Sequence, residues 1–148
     1  MKHKLLIILL FIFSIGSFIF VNYKINSLDY KENVEDKDLY ILMNGTKEII
    51  YDLLDEEKLV WGKSNDTKKR YDKWKYIEHN LNEIGGKLKN REEDLLNLKA
   101  SLFLDDLNNL YNLKLLVGLD LNEFNEGYDK LKKDADKHSK DLLKLVEG

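Results

Sequence analysis

Residues 121–148 read LNEFNEGYDKLKKDADKHSKDLLKLVEG, and their spacing decides the fold class. The apolar and aromatic positions recur in steps of three and four residues, which places them on one helix face. That face consists of Leu121, Phe124, Tyr128, Leu131, Ala135, His138, Leu142 and Leu145. Three heptads with this spacing form the seam of a coiled coil. We therefore expect a long terminal helix that packs lengthwise against other helices.

Three upstream segments show the same helical spacing, at residues 39–61, 67–88 and 95–117. Glycines followed by capping residues separate the four segments. The predicted boundaries are Gly62 with Ser64 to Asp66, Gly85-Gly86 with Asn90 to Glu93, and Gly118 with Asp120 to Glu123. Asn44-Gly45 is a further turn signal inside the first segment, so that helix either kinks there or begins only at Thr46.

Four helices with short connections predict an all-α fold, an antiparallel up-down bundle of about four helices. Charge patterning supports the pairing of the first two helices. Residues 29–58 carry a net charge of −6 and residues 59–75 a net charge of +4, so their edges attract. A three-helix bundle with a trailing helix, or a dimer that shares the last seam, are the alternatives.

The N-terminus carries the signal of a membrane anchor. Residues 1–4 are basic, and the 17 residues from Leu5 to Val21 are apolar apart from three small residues. A helix of this length spans about 25 Å, which is just enough for a thin bilayer. A cleaved signal peptide is the alternative, because Ser14-Ile15-Gly16 is a small-x-small site. Cleavage there would leave an apolar new terminus, which favours an uncleaved single transmembrane helix.

Both interpretations place the rest of the chain outside the cytoplasm, because Lys2 and Lys4 favour a cytoplasmic N-terminus. We expect residues 1–24 to be the anchor or signal segment, residues 25–38 a juxtamembrane linker and residues 39–148 the helical bundle. The predicted location is the cell membrane, with a single pass and an extracytoplasmic C-terminal domain. Cleavage of the N-terminal segment would make the protein secreted.

The composition argues against several classes of chemistry. The chain has no cysteine, so it has neither a thiolate nucleophile nor a cysteine metal site. The histidines are isolated and the carboxylates scatter around the helices, so we expect no metal, no cofactor and no catalytic residues. A formal net charge of −3 argues against nucleic acid as a partner. We therefore expect no enzymatic activity.

Two surfaces and one core residue are candidates for function. In an up-down bundle the two distal turns bring together Trp61, Leu116, Val117 and Leu119, which either bind a protein partner or plug the end of the bundle. A basic surface for an anionic wall polymer or lipid, or else a solvated helix face, consists of Lys63, Lys68, Lys69, Arg70 and Lys73. His138 occupies a seam position, either as a polar core residue bonded to Tyr128 or a neighbouring helix, or as a pH-sensitive contact.

These features predict a membrane-tethered interaction module, an accessory, scaffold or assembly factor of a cell-envelope process. Its protein partner is not identified by the sequence. The alternative function is a bundle that senses a small molecule and acts through a membrane partner, because no more than four residues precede the apolar segment.

Overall fold

The computed structural model of the chain describes residues 34–61 and 67–148. These two ranges are all-helical and contain no strand. Helix α1 is described over residues 34–59, and three further helices follow: α2 (Thr67–Lys89), α3 (Leu95–Asn112) and α4 (Leu121–Glu147). A short 3₁₀ turn, Leu113–Leu116, continues directly from α3. The predicted anchor, Leu5 to Val21, lies outside the described residues.

Helices that are adjacent in sequence run antiparallel. In each pair, residues near the end of one helix contact residues near the start of the next, and residues near its start contact residues near the end of the next. The pairs that establish this are Glu57–Arg70 and Thr46–Asn80 for α1–α2, Trp74–Tyr111 and Leu88–Asn97 for α2–α3, and Asp106–His138 and Lys99–Asp141 for α3–α4. The predicted up-down order of a helical bundle is therefore present.

Helix α4 also packs along α1, so the four helices close into a ring. Ser139 donates a hydrogen bond to the Asn44 side chain at 3.1 Å, and the Tyr128 hydroxyl donates to Asp55 at 2.9 Å. These contacts make α1 and α4 antiparallel as well. All four helices contribute to one core, whose largest fully buried side chains include Met43, Ile50, Leu54, Ile77, Ile84, Phe103, Leu107, Leu110, Phe124 and Tyr128.

Neither the turn predicted within the first segment nor the helix end predicted at Gly85-Gly86 interrupts its helix. Helix α1 continues through Asn44-Gly45, so a start at Thr46 is wrong. Leu39 and Met43, just before this point, are buried in the core, and their burial outweighs the roughly 1 kcal/mol cost of a helical glycine. Likewise α2 runs through Gly85-Gly86 to Lys89, because the buried Leu88 holds its last turn against the core.

Helix caps were predicted with mixed success. Asp120 caps α4 as expected, accepting hydrogen bonds from the backbone N–H groups of Asn122 and Glu123. Gly118 adopts a φ of +79°, which favours glycine and ends the preceding helical stretch. The predicted cap of α3 at Asn90 is wrong, because Asp94 caps that helix and accepts from the Asn97 N–H at 2.7 Å.

The buried face of α4 differs from the predicted seam toward its C-terminal end. Ser139 and Val146 are buried there, whereas His138 is half-buried and Leu145 exposed. An α-helix has 3.6 residues per turn, so a strict seven-residue repeat drifts by about 20° per heptad across its surface. This drift moves burial from His138 to Ser139 and from Leu145 to Val146, whereas the predicted Leu142 stays buried.

Two tyrosines at the α1–α4 interface provide a test of this packing. The Tyr51 hydroxyl lies 3.0 Å from Asp136 and the Tyr128 hydroxyl 2.9 Å from Asp55. Burial raises the pKa of both phenols above the usual value, and the neighbouring carboxylates raise it further. The folded protein thus holds two protons that the unfolded chain releases near pH 10, so stability falls as the pH rises above about 10.

We predict that these two phenols ionise only as the helices unfold, when tyrosinate absorbance and helical circular dichroism are followed together in alkaline titration. The Tyr51→Phe/Tyr128→Phe variant should lack the rise in tyrosinate absorbance that accompanies unfolding. A matched control is Tyr71→Phe/Tyr76→Phe, which removes two exposed tyrosines. Ionisation of Tyr51 and Tyr128 ahead of unfolding would contradict the buried interface.

Candidate functional site

One end of the bundle brings together the end of α1, the 3₁₀ turn after α3 and the start of α4. Trp61, just beyond α1, lies against Phe124 in the first turn of α4, with ring centroids 5.1 Å apart. Leu113 in turn lies close to Gly127, because a β-carbon added at Gly127 would lie 3.2 Å from the Leu113 side chain. The described end of α1 and the connection between α3 and α4 therefore lie at the same end of the bundle, which we call the tip.

The predicted tip residues divide into two groups. Trp61, Leu116 and Val117 are half-buried and pack against the hydrophobic core, so they close the end of the bundle. Leu119 is 75 % exposed and makes no contribution to that closure. Trp61, Leu116 and Val117 thus fit the interpretation as a plug of the bundle end, and Leu119 fits the interpretation as a partner-binding residue.

Three further leucines of the tip are exposed: Leu59 by 80 %, Leu115 by 67 % and Leu121 by 40 %. We call these three, together with Leu119, the tip leucines. Single exposed leucines are ordinary, but a group of them at one place marks an interaction surface. Leu121 was assigned to the α4 seam from its spacing alone, and its exposure follows from its place at the first turn, beyond the reach of α1.

The backbone that carries the tip leucines is hydrogen-bonded. The Val117 N–H donates to Lys114 O at 3.3 Å, and the Leu119 N–H donates to Leu116 O at 3.0 Å. Gly118 between them supplies the left-handed turn. Leu115 and Leu119 are therefore presented by an ordered turn, and binding a partner there costs little conformational entropy.

The cations around the tip leucines are already in contact with aromatic rings. The ammonium of Lys114 lies 3.5 Å from the centre of the Tyr111 ring. The ammonium of Lys58 lies 4.7 Å from the centre of the Tyr128 ring and 3.9 Å from Asp129. The rings therefore hold these two ammonium groups in place beside the tip leucines.

The predicted basic surface of α2 is partly neutralised. Arg70 pairs with the buried Glu57 at 3.0 Å and Lys73 pairs with Glu56 at 3.2 Å, both on α1. These two pairs confirm the expected attraction between the acidic first helix and the basic second one. Of the other predicted members, Lys68 and Lys69 are exposed, and Lys63 lies outside the described residues.

His138 pairs with a carboxylate of the neighbouring helix. Its Nδ1 lies 2.5 Å from an oxygen of Asp106 on α3, so the partner is on a neighbouring helix and is not Tyr128. Asp106 is buried, and burial raises the pKa of its carboxyl although His138 opposes the rise. Asp134 and Asp105 add smaller contributions in the same direction as burial.

A metal site requires several histidine or acidic side chains close together. Within them, no group of three or more histidine or acidic side chains is placed to hold a metal ion. A surface depression of about 300 Å³ is lined by Glu93, Asp94, Asn97, Leu98 and Ser101. All five belong to one short stretch of chain, so this depression is not a space between helices of the kind that a sensing bundle uses.

None of the described helices combines the length and apolar character needed to cross a membrane. Comparison of the chain with protein-family models, with curated protein sequences and with solved structures finds no match. The candidate site therefore has to be judged from its own geometry.

The Asp106–His138 pair generates a prediction about pH. Because the pKa of Asp106 is raised in the folded state, the folded protein binds a proton here more tightly than the unfolded chain. This group's contribution to stability is present below the unfolded pKa, about 4, and is lost as the pH rises through the folded pKa. Asp106→Asn removes this titration and keeps the shape of the side chain.

We expect the melting temperature of the native protein, relative to Asp106→Asn, to rise as the pH falls from about 7 to about 4. Thermal melts followed by circular dichroism at several pH values measure this difference. The exposed Asp105→Asn is the matched control and should show a smaller change. A difference between native protein and Asp106→Asn that stays constant with pH would rule out a pH-sensitive contact at this pair.

Proposed function

We propose that the protein is a membrane-tethered, extracytoplasmic helical-bundle interaction module, an accessory, scaffold or assembly factor of a cell-envelope process without enzymatic activity. The observation that carries this proposal is the group of four exposed tip leucines at one end of the bundle, two of which, Leu115 and Leu119, lie on an ordered turn. Exposed apolar groups of this kind mark protein-binding surfaces. Trp61 supports the group from beneath by its contact with Phe124.

The arrangement of charge favours a protein partner at the tip. Lys58 and Lys114 lie over aromatic rings, which fixes their ammonium groups beside the apolar surface. Binding hot spots are centrally placed apolar or aromatic groups from which water is excluded. Leu119 and Leu115, the two exposed leucines of the α3–α4 connection, are the residues we expect to contribute most of the affinity.

The proposed tether is the apolar stretch Leu5 to Val21, with Lys2 and Lys4 retained in the cytoplasm. Helix α1 runs toward the tip, and from Lys37 to Leu59 it rises about 33 Å. A chain that enters the bundle at Lys37 therefore does so at the end remote from the tip leucines.

A test of the tether combines fractionation with protease access. We expect the full-length protein with a C-terminal tag to sediment with membranes and to resist extraction by alkaline carbonate. External protease should remove the tag from intact spheroplasts. Deletion of residues 5–21 should abolish both membrane association and export. An intact mass that lacks the N-terminal residues would instead identify a cleaved signal peptide and a secreted protein.

A test of the tip uses a photo-crosslinking amino acid at position 119 of the full-length protein in cells. We expect a discrete crosslinked partner from position 119 and none from position 98, an exposed leucine on the side of α3. The partner should be lost from the Leu59→Ser/Leu115→Ser variant, whose melting temperature should change little because both residues are exposed.

The matched control for that variant is Leu95→Ser/Leu98→Ser, which removes two leucines of comparable size from the side of the bundle. It should retain the crosslinked partner. Equal capture by both double variants, or equal crosslinking from positions 98 and 119, would remove the tip from the proposal.

A further inference from the structure

A row of lysines follows the solvent face of α4. Five lysines recur along this helix in steps of three, four, three and four residues, and all five are exposed. They are Lys130, Lys133, Lys137, Lys140 and Lys144, which we call the lysine stripe. From Lys130 to Lys144 the stripe extends about 21 Å along the helix axis, with about 5 Å between successive lysines.

Most of the stripe takes part in no ion pair within the described residues, unlike Lys47, Lys58 and Lys99. Within the described residues, four of its lysines take part in no ion pair, and the fifth, Lys144, lies 3.8 Å from Asp141. The remaining lysine of α4, Lys132, is half-buried over the rings of Tyr51 and Tyr128. The stripe therefore combines five cations that face solvent on one side of one helix.

Three of the carboxylates that flank the stripe are engaged by cations of the neighbouring helices, although Asp141 also pairs with Lys144 of the stripe. Asp136 and Asp129 lie toward α1, and Asp141 lies toward α3. The pairs are Lys47–Asp136 at 3.2 Å, Lys58–Asp129 at 3.9 Å and Lys99–Asp141 at 3.9 Å. Positive charge consequently collects on the outer face of α4 in a protein whose formal net charge is −3.

We propose that the lysine stripe binds a linear chain of phosphodiester-linked units, a polyanion with regularly repeated charge. Lysine is a compact point charge on a flexible stem, so a row of lysines suits a flexible chain of phosphates without demanding one geometry. Each phosphate that a lysine neutralises releases counterions, and several neighbouring contacts add their contributions. Arg70 and Lys73, which belong to the basic surface predicted on α2, pair with carboxylates of α1. We therefore place the polymer contact on α4.

The composition of the stripe argues against a lipid surface and against nucleic acid. The exposed large apolar residues of α4 are Leu121 and Leu145, and both lie outside the span from Lys130 to Lys144. Adsorption to a bilayer requires an apolar face beside the basic one. Single-stranded nucleic acid gains its affinity from aromatic or arginine side chains on which bases stack, and the stripe has neither.

The inference that the polymer is a cell-envelope component rests on the proposed extracytoplasmic location. Binding of a phosphodiester chain to the lysine stripe in vitro does not depend on that location. The test measures the affinity of the full-length protein in phosphatidylcholine nanodiscs for labelled poly(glycerol phosphate), by fluorescence anisotropy at several salt concentrations. Failure to enter nanodiscs would count against the tether alone, and the same titration would then be made with the protein in buffer.

We expect the logarithm of the binding constant to fall with the logarithm of salt concentration with a slope of about −3, the value for four to five neutralised phosphates on a flexible chain. The stripe variant Lys130→Gln/Lys133→Gln/Lys137→Gln/Lys140→Gln should bind at least tenfold more weakly at low salt, with a slope near zero. The matched control carries four exposed lysines of α2 changed to glutamine, at positions 68, 75, 87 and 89. Both variants move the formal net charge from −3 to −7.

The control should bind like the native protein, which would separate the stripe from net charge. Equal weakening of the stripe variant and the control would overturn the proposal, because total charge would then explain the binding. Tighter binding to single-stranded DNA with the same number of phosphates would overturn it in favour of nucleic acid. Tighter binding to empty phosphatidylglycerol nanodiscs, also lost in the stripe variant, would overturn it in favour of a lipid surface.

Discussion

The polar contacts between α1 and α4 are the constraint on which the rest of the bundle depends. The other three interfaces join helices that follow one another in the chain, whereas this one closes the ring over long sequence separation. Tyr128 donates to Asp55 and Tyr51 to Asp136, both between partly buried groups. A slip of one turn would separate these partners, at a cost of about 1–3 kcal/mol for each group left unsatisfied. The register that they select is also the one that places Trp61 against Phe124 and so forms the tip.

Much of this fold is predictable from hydrophobic spacing, because burial of a helix face determines where helices form. The four helices, the stop at Gly118 and the cap at Asp120 follow from that spacing and from local turn chemistry. The continuity of α2 through Gly85-Gly86 does not, since it depends on Leu88 reaching a core made by other helices. The burial of Ser139 in place of His138 likewise depends on how a straight helix drifts from a seven-residue repeat.

The candidate surfaces are less predictable than the fold, for a physical reason. A sequence shows which cations are present but not which carboxylates lie opposite them across a helix interface. The basic run of α2 is conspicuous in the sequence, yet Arg70 lies beside Glu57 in the bundle. The lysines of α4 alternate with acidic residues and look neutral as a segment, although Asp136 pairs with α1 and Asp141 with α3. Exposure at the tip was partly foreseeable, since the two connections of an up-down bundle must meet there.

The same interfaces that hold the bundle together therefore decide which groups are left for binding. Every flanking carboxylate that α1 or α3 engages increases the net positive charge on the outer face of α4. Aromatic rings near the tip hold lysines in place, as Tyr111 holds Lys114. Internal packing thus separates an apolar end from a charged side, and the two surfaces suit chemically different partners. Because α4 contributes to both, with Leu121 at the tip and Lys130 beginning the stripe, its register against α1 determines how the two surfaces are oriented relative to each other.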